Sequence, residues 1–231
     1  PGRRAAVKLT ACTPRCGPPF RDLARYLSGR ANALTKIQDV TGTALIVAEF
    51  RAQENAEAHP LYRDPIVPLF LNDRTRQAAE RIAAGFPPGV KGVKLRTRYF
   101  DDHLDAQLGN DCRQVVILGA GLDTRGVRKQ VPGVTYFEID DADTISFKQA
   151  RLAEAGIEAP IVFIAGNYVT DGLLQLLDAN GFDFDLPTYV IWEGNTMYLN
   201  WPAVLKVLTD LRSSVGEFAI SFDYLTEAVI D

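Results

Sequence analysis

The chain has 231 residues, enough for one large domain or for one domain with an appendage. Hydrophobic residues make up 47% of the sequence, which allows a sizeable core, and the formal net charge of −4 gives no support for nucleic-acid binding. No apolar run reaches the ~18 residues of a membrane-spanning helix, so we expect no membrane partner. Three cysteines are too few for a disulfide framework and, with only two histidines, predict a reducing, cytoplasmic compartment and no metal site.

The N-terminal half is predicted to be a tail followed by helices. The first twenty residues lack periodicity and lack the apolar stretch of a signal peptide, and we expect residues 1–34 to form a loose tail. Residues 35–110 carry helical spacing and predict a helical cap. Within this cap Pro87-Pro88-Gly89 is expected to break the chain, and the next helix carries an apolar stripe of Phe100, Leu104 and Leu108.

After residue 110 the pattern changes to short apolar runs of the buried β type that alternate with helices. The predicted strands are residues 115–118, 134–140, 160–166, 187–194 and 217–225. Such alternation is typical of a parallel sheet with helices on both faces. We therefore predict an α/β, Rossmann-like core over residues 111–231, with the helical cap beside the carboxyl ends of its strands.

Two glycines, Gly119 and Gly121, lie in the turn that follows the first predicted strand. Ligands of parallel sheets bind outside the carboxyl ends of the strands, and glycine permits close approach to the backbone. A dinucleotide site would have a third glycine where Thr124 stands, and Asp123 would place negative charge where a pyrophosphate should lie. The turn therefore favours a cofactor without phosphates, commonly S-adenosyl-L-methionine, over an NAD-dependent oxidoreductase; a tight turn without a ligand is the alternative.

Acidic residues end the second predicted strand. Glu138 and Asp140 point to the same side of this strand, and Asp141 and Asp143 follow it. A carboxylate at this position can accept hydrogen bonds from both ribose hydroxyls of any adenosine cofactor. We assign the ribose role to Asp140, and we expect Asp141 or Asp143 to cap the next helix.

The combination of motifs resembles the leucine carboxyl methyltransferase superfamily, in particular its bacterial O-methyltransferase branch of polyketide type. The resemblance runs from roughly Gln38 to Tyr224. It is carried by RTRYFDD, GAGLDTR, EID, GFDFDLPTYVIWEG with the following NTMYL, and SFDY. It implies a class I methyltransferase fold and transfer of a methyl group from S-adenosyl-L-methionine to a carboxylate or hydroxyl of a small molecule.

The same resemblance implies roles for individual residues. Arg96 matches the arginine that holds the methionine carboxylate of the cofactor, with Arg98 as the alternative because the spacing is ambiguous by two residues. Gly119 matches the glycine that contacts the cofactor. Glu193 matches the glutamate near its methionine end, and Tyr198 matches a tyrosine of the acceptor cleft. No catalytic base is nominated, since neither histidine belongs to a motif.

The chain departs from the family pattern in two ways. Asn167 and Tyr168 stand where the family usually has Asp-Leu beside the adenine amino group, although an asparagine carbonyl can still accept that hydrogen bond. Asp171 could replace the family's acid beside the adenine, but we expect it to cap the next helix. The family's last two strands are expected to be missing, which would leave an open sheet edge beside the fifth predicted strand. The alternative function is therefore a truncated or degraded homologue that only binds the cofactor.

Overall fold

A computed structural model of the chain describes residues 8–12 and 42–224. These residues contain one six-stranded sheet in the order β1-β6-β5-β2-β3-β4, in which every neighbouring pair of strands is parallel. The strands are β1 (Lys8–Cys12), β2 (Gln114–Leu118), β3 (Thr135–Asp140), β4 (Ile161–Ala165), β5 (Thr188–Trp192) and β6 (Phe218–Asp223). The predicted α/β class and its five core strands are confirmed.

The described residues also form seven α-helices. They are α1 (Gly42–Gln53), α2 (Asp73–Gly85), α3 (Pro87–Leu108), α4 (Arg125–Arg128), α5 (Ala142–Glu154), α6 (Leu173–Ala179) and α7 (Trp201–Ser214). Pro87-Pro88-Gly89 separates α2 from α3 as predicted, but it forms the first turn of α3, where proline has no N–H to satisfy. Within residues 8–12 and 42–224, no helix joins the length and the apolar character that crossing a lipid bilayer requires.

The two faces of the sheet are covered by different helices. Side chains alternate between the faces along each strand, so the fully buried β2 contributes side chains to a hydrophobic core on each face of the sheet. On one face α6 and α7 pack against Val116, Val190 and Ile220. On the other face α3 packs Phe100 and Leu104 of the predicted stripe against the sheet, with Leu108 partly buried beside them. Because α3 covers the sheet directly, it belongs to this layered core as well as to the helical region before it.

The expected loose tail is wrong for Lys8–Cys12. These residues form β1, which pairs in parallel register along the outer side of β6. A physical reason is that β6 would otherwise present a row of unpaired backbone N–H and C=O groups at the sheet edge. The edge that the sequence analysis expected to be open therefore carries a further strand.

Helix caps fix the direction in which the chain leaves β3. The Asp141 side chain is the N-cap of α5 and accepts hydrogen bonds from the backbone N–H groups of Asp143 and Thr144, at 3.1 and 2.9 Å. The prediction that Asp141 or Asp143 caps this helix is thus confirmed for Asp141. Asp140 is not used as a cap and stays at the end of β3.

Replacing Phe100 by alanine tests the assignment of α3 to the sheet layer. Phe100 is fully buried, so we expect Phe100→Ala to lower the free energy of unfolding by about 3–5 kcal/mol in urea titrations. Leu95→Ala, at a 47% exposed position of the same helix, is the matched control and should change it by less than about 0.5 kcal/mol. Equal effects of the two substitutions would contradict this packing.

Candidate active site

A cleft of about 380 Å³ lies at the carboxyl ends of β2, β3 and β5. This volume falls within the ~300–1,000 Å³ that is usual for small-molecule sites. The turn after β2, the last residue of β3, the segment after β5 and the first part of α1 all contribute to its lining. The cleft therefore lies where the sequence analysis expects a ligand site. Helix α1, which is part of the predicted helical cap, lies beside it.

Most of the predicted site residues meet in this cleft. Its lining includes Arg96, Gly119, Gly121, Asp140, Glu193 and Tyr198. Of the two alternative arginines, Arg96 reaches the cleft. Arg98 lies on the outer side of α3, where its Nε donates to Asp102 Oδ1 at 2.7 Å.

The two glycines of the turn are required for different reasons. Both have positive φ, 63° at Gly119 and 49° at Gly121, which other residues rarely adopt. A Cβ on Gly119 would lie 2.0 Å from Asn195 Nδ2, whereas one on Gly121 would meet its nearest atom, Ala44 Cβ, at 3.7 Å. Gly119 therefore makes room for the Asn195 amide, a role that the sequence analysis did not foresee.

Asp140 is tied to the glycine turn by its carboxyl group. Oδ2 accepts the backbone N–H of Gly121 at 2.6 Å, and Oδ1 accepts that of Asp141 at 2.7 Å. Burial raises the pKa of Asp140 to about 6, against the lowering effect of these two hydrogen bonds. A carboxylate offers about four acceptor positions, so two remain for hydroxyl groups of a ligand.

Arg96 and Glu193 form an ion pair on the cleft wall. Arg96 Nε donates to Glu193 Oε1 at 2.8 Å, and its Nη1 donates to Asp223 Oδ2 at 3.1 Å. Asp223 also accepts the backbone N–H of Gly194 at 2.7 Å, which fixes the start of the segment after β5. Among the described residues, no hydrogen bond uses Arg96 Nη2, so this nitrogen remains for an anionic group in the cleft.

A second arginine, Arg125, binds the other carboxylate oxygen of Glu193. Arg125 Nη1 donates to Glu193 Oε2 at 2.7 Å and to Asp123 Oδ2 at 2.5 Å. Arg125 Nε donates to Asp101 Oδ1 of α3 at 2.7 Å, and Arg125 is only 2% exposed. An acid that closes a buried strand is costly unless it is paired, and Glu193 satisfies this condition with two guanidinium groups.

Asp123 and Thr124, which stand where a dinucleotide site would have other residues, form ion pairs and hydrogen bonds within the protein. Burial alone would raise the pKa of Asp123, but Arg125 and Arg51 hold it well below its usual range, so the carboxylate is charged. Thr124, in place of the third glycine, is fully buried, and its Oγ1 accepts from Arg51 and donates to Asp64. The helix that follows, α4, has only four residues and presents no extended helix terminus to a pyrophosphate.

Asn167 and Tyr168 lie outside the described lining of the cleft. Asn167 is exposed, and its Oδ1 accepts the backbone N–H groups of Val169 and Thr170 at 3.0 and 3.2 Å, as an N-cap does. Asp171 does not cap α6; its Oδ2 accepts the Asn167 backbone N–H at 2.8 Å. Tyr168 is buried in the core, and only its hydroxyl group approaches the site, through Asn195.

Sequence reasoning missed four residues around the cleft: Arg51, Arg125, Asn195 and Asp223. Arg125 and Asn195 stand inside the motifs GAGLDTR and WEGNTMYL, so the signal was present without a role. Arg51 comes from α1, lines the cleft and has a buried Nε with no hydrogen-bond partner among the described residues. The histidines stay remote, since His59 is exposed and His103 bonds the backbone carbonyl of Tyr99.

The fold and the cleft define an α/β protein with a candidate ligand site at the carboxyl ends of a parallel sheet. The chain belongs to the leucine carboxyl methyltransferase family, whose model matches residues 44–212, and this confirms the family that the motifs predict. A Mycobacterium tuberculosis protein named "Putative S-adenosyl-L-methionine-dependent methyltransferase" is 34% identical over 175 residues, covering 70% of this chain and 54% of that protein. A Frankia alni protein of the same class name is 33% identical over 179 residues, covering 73% and 63%. The chain thus spans little more than half the length of these relatives.

Arg125→Met tests how far the cleft depends on the buried ion pairs. The substitution leaves Asp101, Asp123 and part of Glu193 without their counter-charge, so we expect the free energy of unfolding to fall by about 3–5 kcal/mol. Arg98→Met, which removes an exposed pair on α3, is the control and should leave the urea midpoint unchanged. A midpoint for Arg125→Met that matches the control would refute the structural role of this residue.

Proposed function

We propose that the cleft binds S-adenosyl-L-methionine and that the protein transfers its methyl group to a carboxylate or hydroxyl oxygen of a small molecule. The proposal is carried by the charge of the cleft together with family membership. The lining holds three carboxylates, of Asp123, Asp140 and Glu193, against two guanidinium groups, of Arg51 and Arg96. This excess of negative charge suits a ligand with a sulfonium cation and disfavours one with a pyrophosphate.

The residues present fit such a cofactor at both of its ends. At the nucleoside end, Asp140 retains acceptor positions for ribose hydroxyls after bonding the Gly121 and Asp141 N–H groups. At the amino-acid end, Arg96 retains Nη2 for a carboxylate, and Glu193 supplies negative charge near an ammonium group. Arg51 also lines the cleft, and its buried Nε has no hydrogen-bond partner among residues 8–12 and 42–224.

The protein's contribution to methyl transfer is positioning. The cofactor supplies a methyl group that its sulfonium already activates, so the chain mainly has to align an acceptor oxygen in line and keep water out. Tyr198 lines the cleft and is 48% exposed, which suits a residue that meets an acceptor at the mouth. A carboxylate acceptor needs no base, and we nominate none.

Three further assignments remain proposals from the sequence. Asn167 and Tyr168 are proposed to lie beside the adenine of the cofactor. The acceptor is proposed to be a small molecule and not a nucleic acid, in line with the net charge of −4. A cytoplasmic location is proposed from the low cysteine content.

Calorimetric titration with S-adenosylhomocysteine tests the proposed site. We expect the chain to bind this ligand and not NADH. Arg96→Ala and Asp140→Ala should each weaken binding about 10- to 100-fold, because each removes a hydrogen bond to a charged group. Arg98→Ala is the matched control and should bind like the wild type.

Binding of NADH alone would favour the oxidoreductase alternative, and binding of neither ligand would refute the proposal. With binding established, turnover over a panel of carboxylic acids and phenols separates an active methyltransferase from a homologue that only holds the cofactor.

The raised pKa of Asp140 predicts a pH-dependent affinity. Ribose hydroxyls donate to the charged carboxylate, so binding is favoured above the pKa of about 6 and weakens as protonation removes acceptor positions. At pH 5 the affinity for S-adenosylhomocysteine should be up to about tenfold below its value at pH 8.

Asp140→Asn is the control for this prediction, because a carboxamide does not titrate. Its affinity should be lower overall and flat from pH 5 to pH 8. Burial also raises the pKa of Glu138, to about 7, and this residue pairs with Lys148 inside the core. Glu138 is present in both the wild type and Asp140→Asn, so its titration would affect both in the same way. A parallel fall in the wild type and in Asp140→Asn would assign the titration to another group.

A further inference from the structure

A chain of three hydrogen-bonded side chains runs from the core to the cleft. Trp192 Nε1 donates to the Tyr168 hydroxyl oxygen at 3.0 Å, and the Tyr168 hydroxyl lies 2.5 Å from Asn195 Oδ1. Trp192 is fully buried, Tyr168 is 7% exposed, and Asn195 lines the cleft. The first two groups are therefore shielded from solvent, whereas the third reaches the cleft.

The two hydrogen bonds of this chain run in one direction, from Trp192 through Tyr168 to Asn195. An indole N–H can only donate, so the Tyr168 oxygen accepts it. Burial raises the pKa of Tyr168 to about 12, and the charge of nearby Asp140 acts in the same direction, so the phenol keeps its hydrogen. That hydrogen is donated to Asn195 Oδ1. The amide orientation of Asn195 follows, and Nδ2 is the atom that faces away from Tyr168.

The free end of the Asn195 amide lies over the glycine turn. Nδ2 is 2.0 Å from the position that a Cβ on Gly119 would occupy, so it packs directly on that glycine. Among the described residues no hydrogen bond is donated by Nδ2, so its two N–H groups remain for water or for a ligand in the cleft. A donor of fixed orientation is thus held at the floor of the cleft.

We propose that Asn195 binds the ligand directly, by donating a hydrogen bond from Nδ2 to an uncharged acceptor atom of the nucleoside, and that Tyr168 is its positioning residue. This inference rests on the proposed function. An N–H donor has no attraction for a sulfonium or an ammonium group, which excludes those parts of the cofactor as its partner. The same turn is joined through Gly121 to Asp140, the ribose-side acid, whereas the amino-acid end faces Arg96 and Glu193.

Calorimetry with two ligands tests the inference on the full chain. S-adenosylhomocysteine carries the nucleoside and the amino acid, whereas 5′-methylthioadenosine carries only the nucleoside. Asn195→Ala should weaken both by a similar factor, about threefold to tenfold, as expected for one neutral hydrogen bond. Asn195→Asp should weaken both further, because it replaces the donor by a charged acceptor. Asn180→Ala, an exposed helix-end asparagine, is the matched control and should change neither affinity.

A double-mutant cycle tests the positioning role of Tyr168. Tyr168→Phe frees the amide to rotate and should weaken both ligands less than Asn195→Ala does. If Tyr168 acts through Asn195, adding Tyr168→Phe to Asn195→Ala should cause no further loss of affinity, whereas two independent structural effects would add. The thermal midpoint, measured alongside, reports any loss of stability from the buried Trp192 N–H separately.

The outcomes distinguish this inference from the proposed function. If the wild type binds both ligands and Asn195→Ala binds them equally well, the inference fails and the proposed function stands. A loss confined to S-adenosylhomocysteine would place the contact at the amino-acid end and overturn the nucleoside assignment. If the wild type binds neither ligand, the proposed function falls and the inference falls with it.

Discussion

The buried guanidinium group of Arg125 is the interaction on which the rest of the site depends. Its donors go to Asp101 of α3, to Asp123 of the glycine turn, to Glu193 after β5 and to the backbone carbonyl of Thr97. A guanidinium is always charged in a protein, and leaving one unpaired in the interior is strongly unfavourable. The three elements must therefore arrive together, which fixes the floor of the cleft before any ligand is present.

The charges that line the cleft are held by this arrangement. Glu193 accepts hydrogen bonds from both Arg125 and Arg96. Arg96 also donates to Asp223 at the end of β6. Each group is oriented by a partner on another element, so the fold sets its direction in the cleft. Preorganisation of this kind reduces the entropy lost when a ligand is bound and increases the benefit from each charged contact.

The sheet and its ligand edge were predictable because the information is local. Buried strands show as apolar runs, Gly119 and Gly121 mark a turn, and Asp140 and Glu193 close strands on the same edge. The pairing of Asn195 with Tyr168, and of Arg96 with Asp223, joins residues far apart in sequence, which no spacing rule connects. The four-residue α4 is too short for a periodic signal, and β1 was missed because five residues without clear alternation resemble a tail.

The position of β1 has a consequence for how the chain folds. Lys8 of β1 pairs with Ala219 of β6, so β1 can take its place in the sheet only after β6 exists. Loop-closure entropy rises only slowly with length, so a separation of roughly 200 residues slows this step more than it weakens the final structure. Among the described strands, the outer side of β6 is therefore satisfied late, and until β1 pairs with it during synthesis it exposes backbone groups with which another chain could pair.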